Sequence, residues 1–83
     1  MHTYSSMSAS ASALTGKEME YIVDSMSNED LLIKQCAVAM ASSANPQFQQ
    51  LCGDMLQAHR QHYRMLMGAL QQQLPAAPLQ PQA

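Results

Sequence analysis

The chain has 83 residues, of which 47% are hydrophobic and 5% aromatic, and its formal net charge is −2. This length allows one domain at most, and such a domain is marginally stable without a metal, a disulfide or a partner chain. The four Lys and Arg residues form no dense basic patch, and no apolar run approaches the roughly 20 residues of a transmembrane helix, so we expect neither nucleic acid nor a membrane as partner.

Three segments follow one another along the chain. Residues 1–13 are rich in Ser, Ala and Met without a period, which predicts a flexible N-terminal arm. Residues 14–74 hold all of the periodic sequence, and residues 75–83, with three prolines, predict a disordered Pro/Gln tail. The N-terminus lacks the basic start and apolar core of a secretion signal, so we expect the protein to stay inside the cell that makes it.

Start and stop signals predict two helices in the periodic segment. Thr15 and Glu18 have the spacing of a capping box, which predicts a helix start. At Asn45-Pro46 the residue before proline is pushed out of the helical region, while Asn is a good N-cap and Pro suits the first helical position. We therefore expect helices over about 16–43 and 46–73, joined by a turn so short that they fold back antiparallel.

Each predicted helix carries a stripe of residues at helical 3-4 spacing, and folding the chain about Ala44 pairs the two stripes. The stripe of the first helix comprises Met19, Ile22, Met26, Glu29, Ile33, Cys36 and Met40. The stripe of the second comprises Phe48, Cys52, Met55, His59, His62, Leu66 and Ala69. In this pairing Glu29 lies level with His59, and Met26 lies level with His62.

Further apolar residues lie beside both stripes. They are Val23, Leu32 and Ala37 on the first helix and Leu51, Leu56, Tyr63, Met65 and Leu70 on the second. A hairpin covers only one stripe of each helix, so a second apolar flank calls for a second hairpin. We therefore expect an all-α fold in which the antiparallel hairpin forms a homodimer with the architecture of a ferritin-like four-helix bundle.

Three polar residues interrupt the paired stripes: Glu29, His59 and His62. They are candidate metal ligands, because carboxylate-bridged metal sites in four-helix bundles combine a Glu with a Glu-x-x-His pair on the next helix. Here the pair reads His-x-x-His, so a di-iron site would lack bridging carboxylates, and a single zinc or other imidazole-binding ion fits better than a di-iron centre; zinc and iron are the candidate ions. The alternative is a hydrogen-bonded Glu29–His59 pair without a metal, with His62 at its edge.

Cys36 and Cys52 are predicted to lie level across the hairpin. A disulfide is geometrically conceivable, but the spacing of packed helices favours reduced, buried thiols. Cys52 and His59 are seven residues apart, roughly 10 Å along a helix, which does not suit a nucleophile and its base. No feature of the sequence indicates an enzyme.

The stretch from Leu14 to Leu70 resembles the Coat F family of bacterial spore coat proteins. The similar elements are the Leu14-Thr15 opening, the acidic segment Glu29 to Leu32, the turn from Ser43 to Pro46, and a histidine in the second helix at His62. The chain departs from the family pattern at His59, where relatives often have Glu.

The resemblance implies a ferritin-like helical hairpin without catalytic activity. It also implies a location in the spore coat, which is assembled from the mother-cell cytoplasm, with other coat proteins as partners. From the sequence we therefore expect a structural or assembly protein of the spore coat. The alternatives are a ferritin-like metal-binding protein that uses Glu29, His59 and His62 from two subunits, and a helical adaptor unconnected with spores.

Overall fold

The computed structural model describes residues 13–73, which form two α-helices that pack against each other and contain no β-strand. Helix α1 spans Gly16–Ser42 and helix α2 spans Pro46–Gln71. The two helices run antiparallel, which confirms the predicted helical hairpin. Residues 1–12 of the expected arm over 1–13, and the whole of the expected tail over 75–83, lie outside the described residues.

Both helices end one or two residues before the predicted positions. Ser43 has extended backbone angles, with φ −109° and ψ 139°, so α1 stops at Ser42. At the end of α2, the Gln72 N–H donates to the Gly68 carbonyl and the Gln73 N–H donates to the Leu70 carbonyl, and these bonds close the helix in a tight turn. Such fraying at helix ends is ordinary.

The capping box predicted at the start of α1 is present. The Glu18 N–H donates to Thr15 Oγ1 at 3.0 Å, and the Thr15 N–H donates to Glu18 Oε1 at 2.9 Å. The two side chains thereby satisfy backbone donors that the first turn of a helix leaves without partners.

The connection between the helices consists of Ser43, Ala44 and Asn45. Asn45 is the N-cap of α2, and its side-chain oxygen accepts a hydrogen bond of 3.0 Å from the Phe48 N–H. Gln49 closes the turn from the other side, because its amide donates to the carbonyls of Met40 and Ser43. These are carbonyls that the end of a helix leaves without intrahelical partners.

The core is a single narrow seam between the helices. Four apolar residues in the described part of the chain are buried, with 6–8% of their surface exposed: Ile22, Met26, Cys36 and Cys52. Every residue of the predicted α1 stripe is buried or half-buried, which confirms that stripe. Cys36 and Cys52 are both free in this structure, and both are buried as expected.

The predicted stripe of α2 is correct at only part of its length. Cys52, His59 and Leu66 face α1, but Phe48, Met55 and His62 are exposed, and the residues that follow each of them are half-buried instead. The inner stripe of α2, defined as its α1-facing residues, therefore comprises Gln49, Cys52, Leu56, His59, Tyr63, Leu66 and Leu70. The Gln49 amide bonds to the end of α1 fix this rotation, because they require Gln49 instead of Phe48 to face α1.

A close approach of the helices near the turn involves Gly53. A Cβ atom at this position would lie 3.4 Å from Cε of Met40, so the absent side chain leaves room for the methionine. At the other end of the hairpin the Leu14 N–H donates to Oε1 of Gln73 at 3.2 Å. The described helices are thus joined at one end by the turn and at the other by this hydrogen bond.

Candidate functional site

The polar residues predicted to interrupt the stripes come together in the middle of the hairpin. Nδ1 of His59 lies 2.6 Å from Oε1 of Glu29, and Nδ1 of His62 lies 3.5 Å from Oε2 of the same carboxylate. The two imidazole rings are edge-to-face with centroids 5.9 Å apart. Each oxygen of the Glu29 carboxylate therefore faces one imidazole nitrogen.

The positions of these residues on their helices explain the arrangement. Glu29 lies on the α1 stripe and His59 on the inner stripe of α2, so the fold places them opposite each other. His62 follows His59 by three residues, which puts its side chain on a neighbouring part of the α2 surface. The side chains of Glu29 and His59 are 19% and 17% exposed, whereas that of His62 is 52% exposed, so the cluster opens to solvent at His62.

Asp30 follows Glu29 in the chain, but its carboxylate has different surroundings. Its carboxylate points to solvent and forms an i, i+4 ion pair of 2.9 Å with Lys34. The hydrogen bond from Lys34 to Asp30, aided by their opposite charges, raises the pKa of Lys34. This pair belongs to the exposed face of α1, so Glu29 alone of the two adjacent carboxylates is available to the histidines.

The cluster can hold a metal ion by its donor types and spacing. Glu29, His59 and His62 each offer a ligand atom, and these atoms lie within 4.8 Å of one another. Close imidazole nitrogens and a carboxylate oxygen are the donors that zinc takes in proteins. The cluster does not fit a di-iron centre, because one carboxylate per hairpin cannot supply the several Glu ligands that such centres use.

A second feature adjoins the cluster on α2. Seven residues repeat at alternating spacings of three and four along one side of the helix, all exposed except the half-buried Ala69, and we call them the outer stripe: Phe48, Leu51, Met55, Ala58, His62, Met65 and Ala69. All of them except His62 are apolar, and Phe48, Leu51, Met55 and Met65 are 44–65% exposed. His62 therefore belongs both to the polar cluster and to an exposed apolar seam.

The periodicity predicts Phe48, Met55, His62 and Ala69 in the core stripe and Leu51 and Met65 beside it. The residues of the outer stripe are therefore divided between the predicted core and the predicted flank. The signal that identifies it is the unbroken 3-4-3-4 spacing from Phe48 to Ala69. Three consecutive heptads of this kind are typical of a helix that packs against another helix along its length.

Comparisons of this chain with protein-family models, with curated proteins and with solved structures find no match. Neither helix in residues 13–73 combines the length and the apolar character that crossing a membrane requires.

Proposed function

We propose that this protein is a structural building block that pairs with a second copy of itself along α2, forming a homodimeric four-helix bundle, and that it serves in the assembly of the bacterial spore coat. The observation that supports self-association is the outer stripe, whose apolar residues repeat with heptad spacing and are largely exposed. The hairpin itself buries only the residues between its two helices, so the outer stripe is left without a packing partner in the single hairpin. Exposed contiguous apolar surface of this kind marks a site of protein–protein contact.

The chemistry of the outer stripe favours a second copy as its occupant. The stripe contains no Lys, Arg, Asp or Glu, so it offers no charge pattern that would select a different partner. A two-fold interface brings the same surface of each protomer together, and an uncharged seam is complementary to itself. Heptad spacing also gives the knobs and holes that helices of a bundle use.

The assignment to the spore coat depends on the resemblance of Leu14 to Leu70 to the Coat F family. The helical hairpin agrees with the architecture that the resemblance implies. A small bundle without a catalytic role suits a protein that other coat proteins contact. Within this proposal the protein is laid down from the mother-cell cytoplasm.

Self-association is tested with a matched pair of leucines. Leu51 lies on the outer stripe and is 54% exposed, and Leu31 lies on α1 and is 53% exposed. We expect sedimentation equilibrium to give the mass of two chains for the parent protein and for Leu31→Glu, and the mass of one chain for Leu51→Glu, because the interface would bury two like charges. A dimer that survives Leu51→Glu would contradict docking along the outer stripe.

The location is tested in a sporulating host that carries the gene. We expect the tagged protein in the coat fraction, and we expect spores without the gene to have altered coat morphology or resistance. Normal spores from the deletion strain, together with absence of the protein from the coat fraction, would count against the coat assignment. That result would leave the self-association test unaffected.

A further inference from the structure

We propose that Glu29, His59 and His62 bind one divalent transition-metal ion of the zinc class per hairpin, through one carboxylate oxygen and the Nδ1 atoms of the two histidines. This site goes beyond the proposed assembly role. It depends only on residues of one hairpin, but His62 also lies on the outer stripe, so a second copy docked there would cover the solvent side of the site.

The distances in the cluster are close to those of a zinc site. Ligand atoms around a tetrahedral zinc at bond lengths of about 2.0–2.1 Å lie about 3.3 Å from one another. Nδ1 of His59 lies 2.6 Å from Oε1 of Glu29 and Nδ1 of His62 lies 3.5 Å from Oε2, and one ligand atom from each of the three residues lies within 4.8 Å of the other two. The widest separation exceeds the tetrahedral value by at most about 1.5 Å, a difference that side-chain rotation can close with the helices left in place.

His62 is the third donor, which makes the Glu29–His59 pair a candidate metal site. Glu29 and His59 satisfy each other by their hydrogen bond of 2.6 Å. His62 stands on an otherwise apolar stripe, is 52% exposed, and still directs Nδ1 toward the second carboxylate oxygen at 3.5 Å. Three donors that converge in this way would leave one tetrahedral position for a further ligand, which in a single hairpin would be water.

The donor set selects the kind of ion. Two imidazoles and one carboxylate suit zinc and its neighbours in the transition series, whereas magnesium and calcium take oxygen ligands almost exclusively. The single carboxylate contributes one negative charge, which offsets half of the charge of a divalent ion. In the ion-bound form the proton of each neutral imidazole resides on Nε2, so the hydrogen bond from His59 to Glu29 is replaced by metal bonds.

The test is a calorimetric titration of the full chain with zinc chloride, together with native mass spectrometry of the zinc-loaded protein. We expect one zinc per chain. We expect Glu29→Gln and His62→Ala each to weaken binding at least about 100-fold, since losing a direct ligand should exceed the 10- to 100-fold cost of losing a supporting one. Circular dichroism of each variant establishes that the helices remain.

Three controls separate this site from other zinc donors in the chain. His2→Ala removes the remaining histidine, and the double variant Cys36→Ala/Cys52→Ala removes both thiols. We expect both to bind zinc as the parent does, and we expect the same of Leu51→Glu, which tests dimerisation alone. Unchanged binding in a folded His62→Ala variant, or loss of binding in the cysteine variant, would overturn the proposed site.

Discussion

Glu29 and Asp30 are neighbours in the chain, yet their carboxylates have opposite surroundings. Glu29 points across the hairpin and accepts a hydrogen bond from His59, and both side chains are less than one fifth exposed. Asp30 pairs with Lys34 on the solvent side, where both side chains are more than half exposed. Interactions of half-buried groups are stronger than those on the surface, where water and salt weaken them.

These surroundings predict different costs for removing each carboxylate. Glu29→Ala should lower the free energy of unfolding by about 1 to 2 kcal/mol, because it leaves His59 without its partner in a place that water reaches poorly. Asp30→Ala should leave the free energy of unfolding nearly unchanged, because an exposed ion pair contributes little. Urea denaturation of the two variants checks both values. Equal effects would show that the Glu29–His59 hydrogen bond does not stabilise the hairpin.

The Glu29–His59 contact was predictable from the sequence. Once Asn45-Pro46 fixed the turn, counting outward along two helices placed these residues level with each other, and the observed 2.6 Å separation confirms it. The approach of His62 to the same carboxylate was not predictable in detail. A residue three positions along a helix lies on the neighbouring surface, and only the rotation of α2 decides whether it reaches across.

At the scale of the helices, the ends are determined by local side chains. Thr15 and Asn45 each accept a hydrogen bond from the backbone N–H three residues later. Asn45 also has Pro46 after it, which cannot donate a hydrogen bond and has backbone angles suited to a first helical position. The turn thus combines an end for α1 and a start for α2 within three residues.

Substitutions at Asn45 should follow the ranking of N-cap residues. We expect Asn45→Asp to leave the free energy of unfolding nearly unchanged, Asn45→Gly to lower it by a few tenths of a kcal/mol (about 0.3), and Asn45→Ala to lower it by about 1 kcal/mol. The alanine side chain cannot accept the hydrogen bond from Phe48. Thermal unfolding followed by circular dichroism ranks the three variants. An Ala variant as stable as the Asp variant would mean that the cap is dispensable.

The rotation of α2 about its axis could not be predicted from the sequence. Two apolar stripes lie side by side on this helix, one residue out of step, and each satisfies the helical period. Periodicity cannot choose between them when both are apolar. The choice depends on tertiary contacts, in particular the bonds from the Gln49 amide to the end of α1 and the space that Gly53 leaves for Met40.

At the scale of the whole molecule, the two-helix hairpin buries few side chains. Four apolar residues are buried in the described part of the chain, and several larger ones on α2 remain exposed. A hairpin of this kind has few apolar contacts to offset the conformational entropy lost on folding. The proposed dimer would add a second seam of heptad contacts to the first.

If the dimer supplies this stability, unfolding should depend on protein concentration. For a dimer that dissociates as it unfolds, the apparent free energy of unfolding should rise by about 1.4 kcal/mol for each tenfold increase in concentration. Thermal midpoints measured over a hundredfold range of dilution check this. A midpoint that does not move over that range would show that the single hairpin folds alone.

The hydrogen bond between Leu14 and Gln73 has a geometric consequence for any larger structure. Because the helices run antiparallel, Leu14 and Gln73 lie at the same end of the hairpin, opposite the turn, and the hydrogen bond holds them together there. In the proposed dimer, two hairpins docked in parallel would therefore place both Leu14–Gln73 pairs at one end of the bundle, whereas two docked antiparallel would place one pair at each end. The first arrangement is a one-sided anchor and the second a two-sided linker, so the docking direction alone sets the valence of the unit.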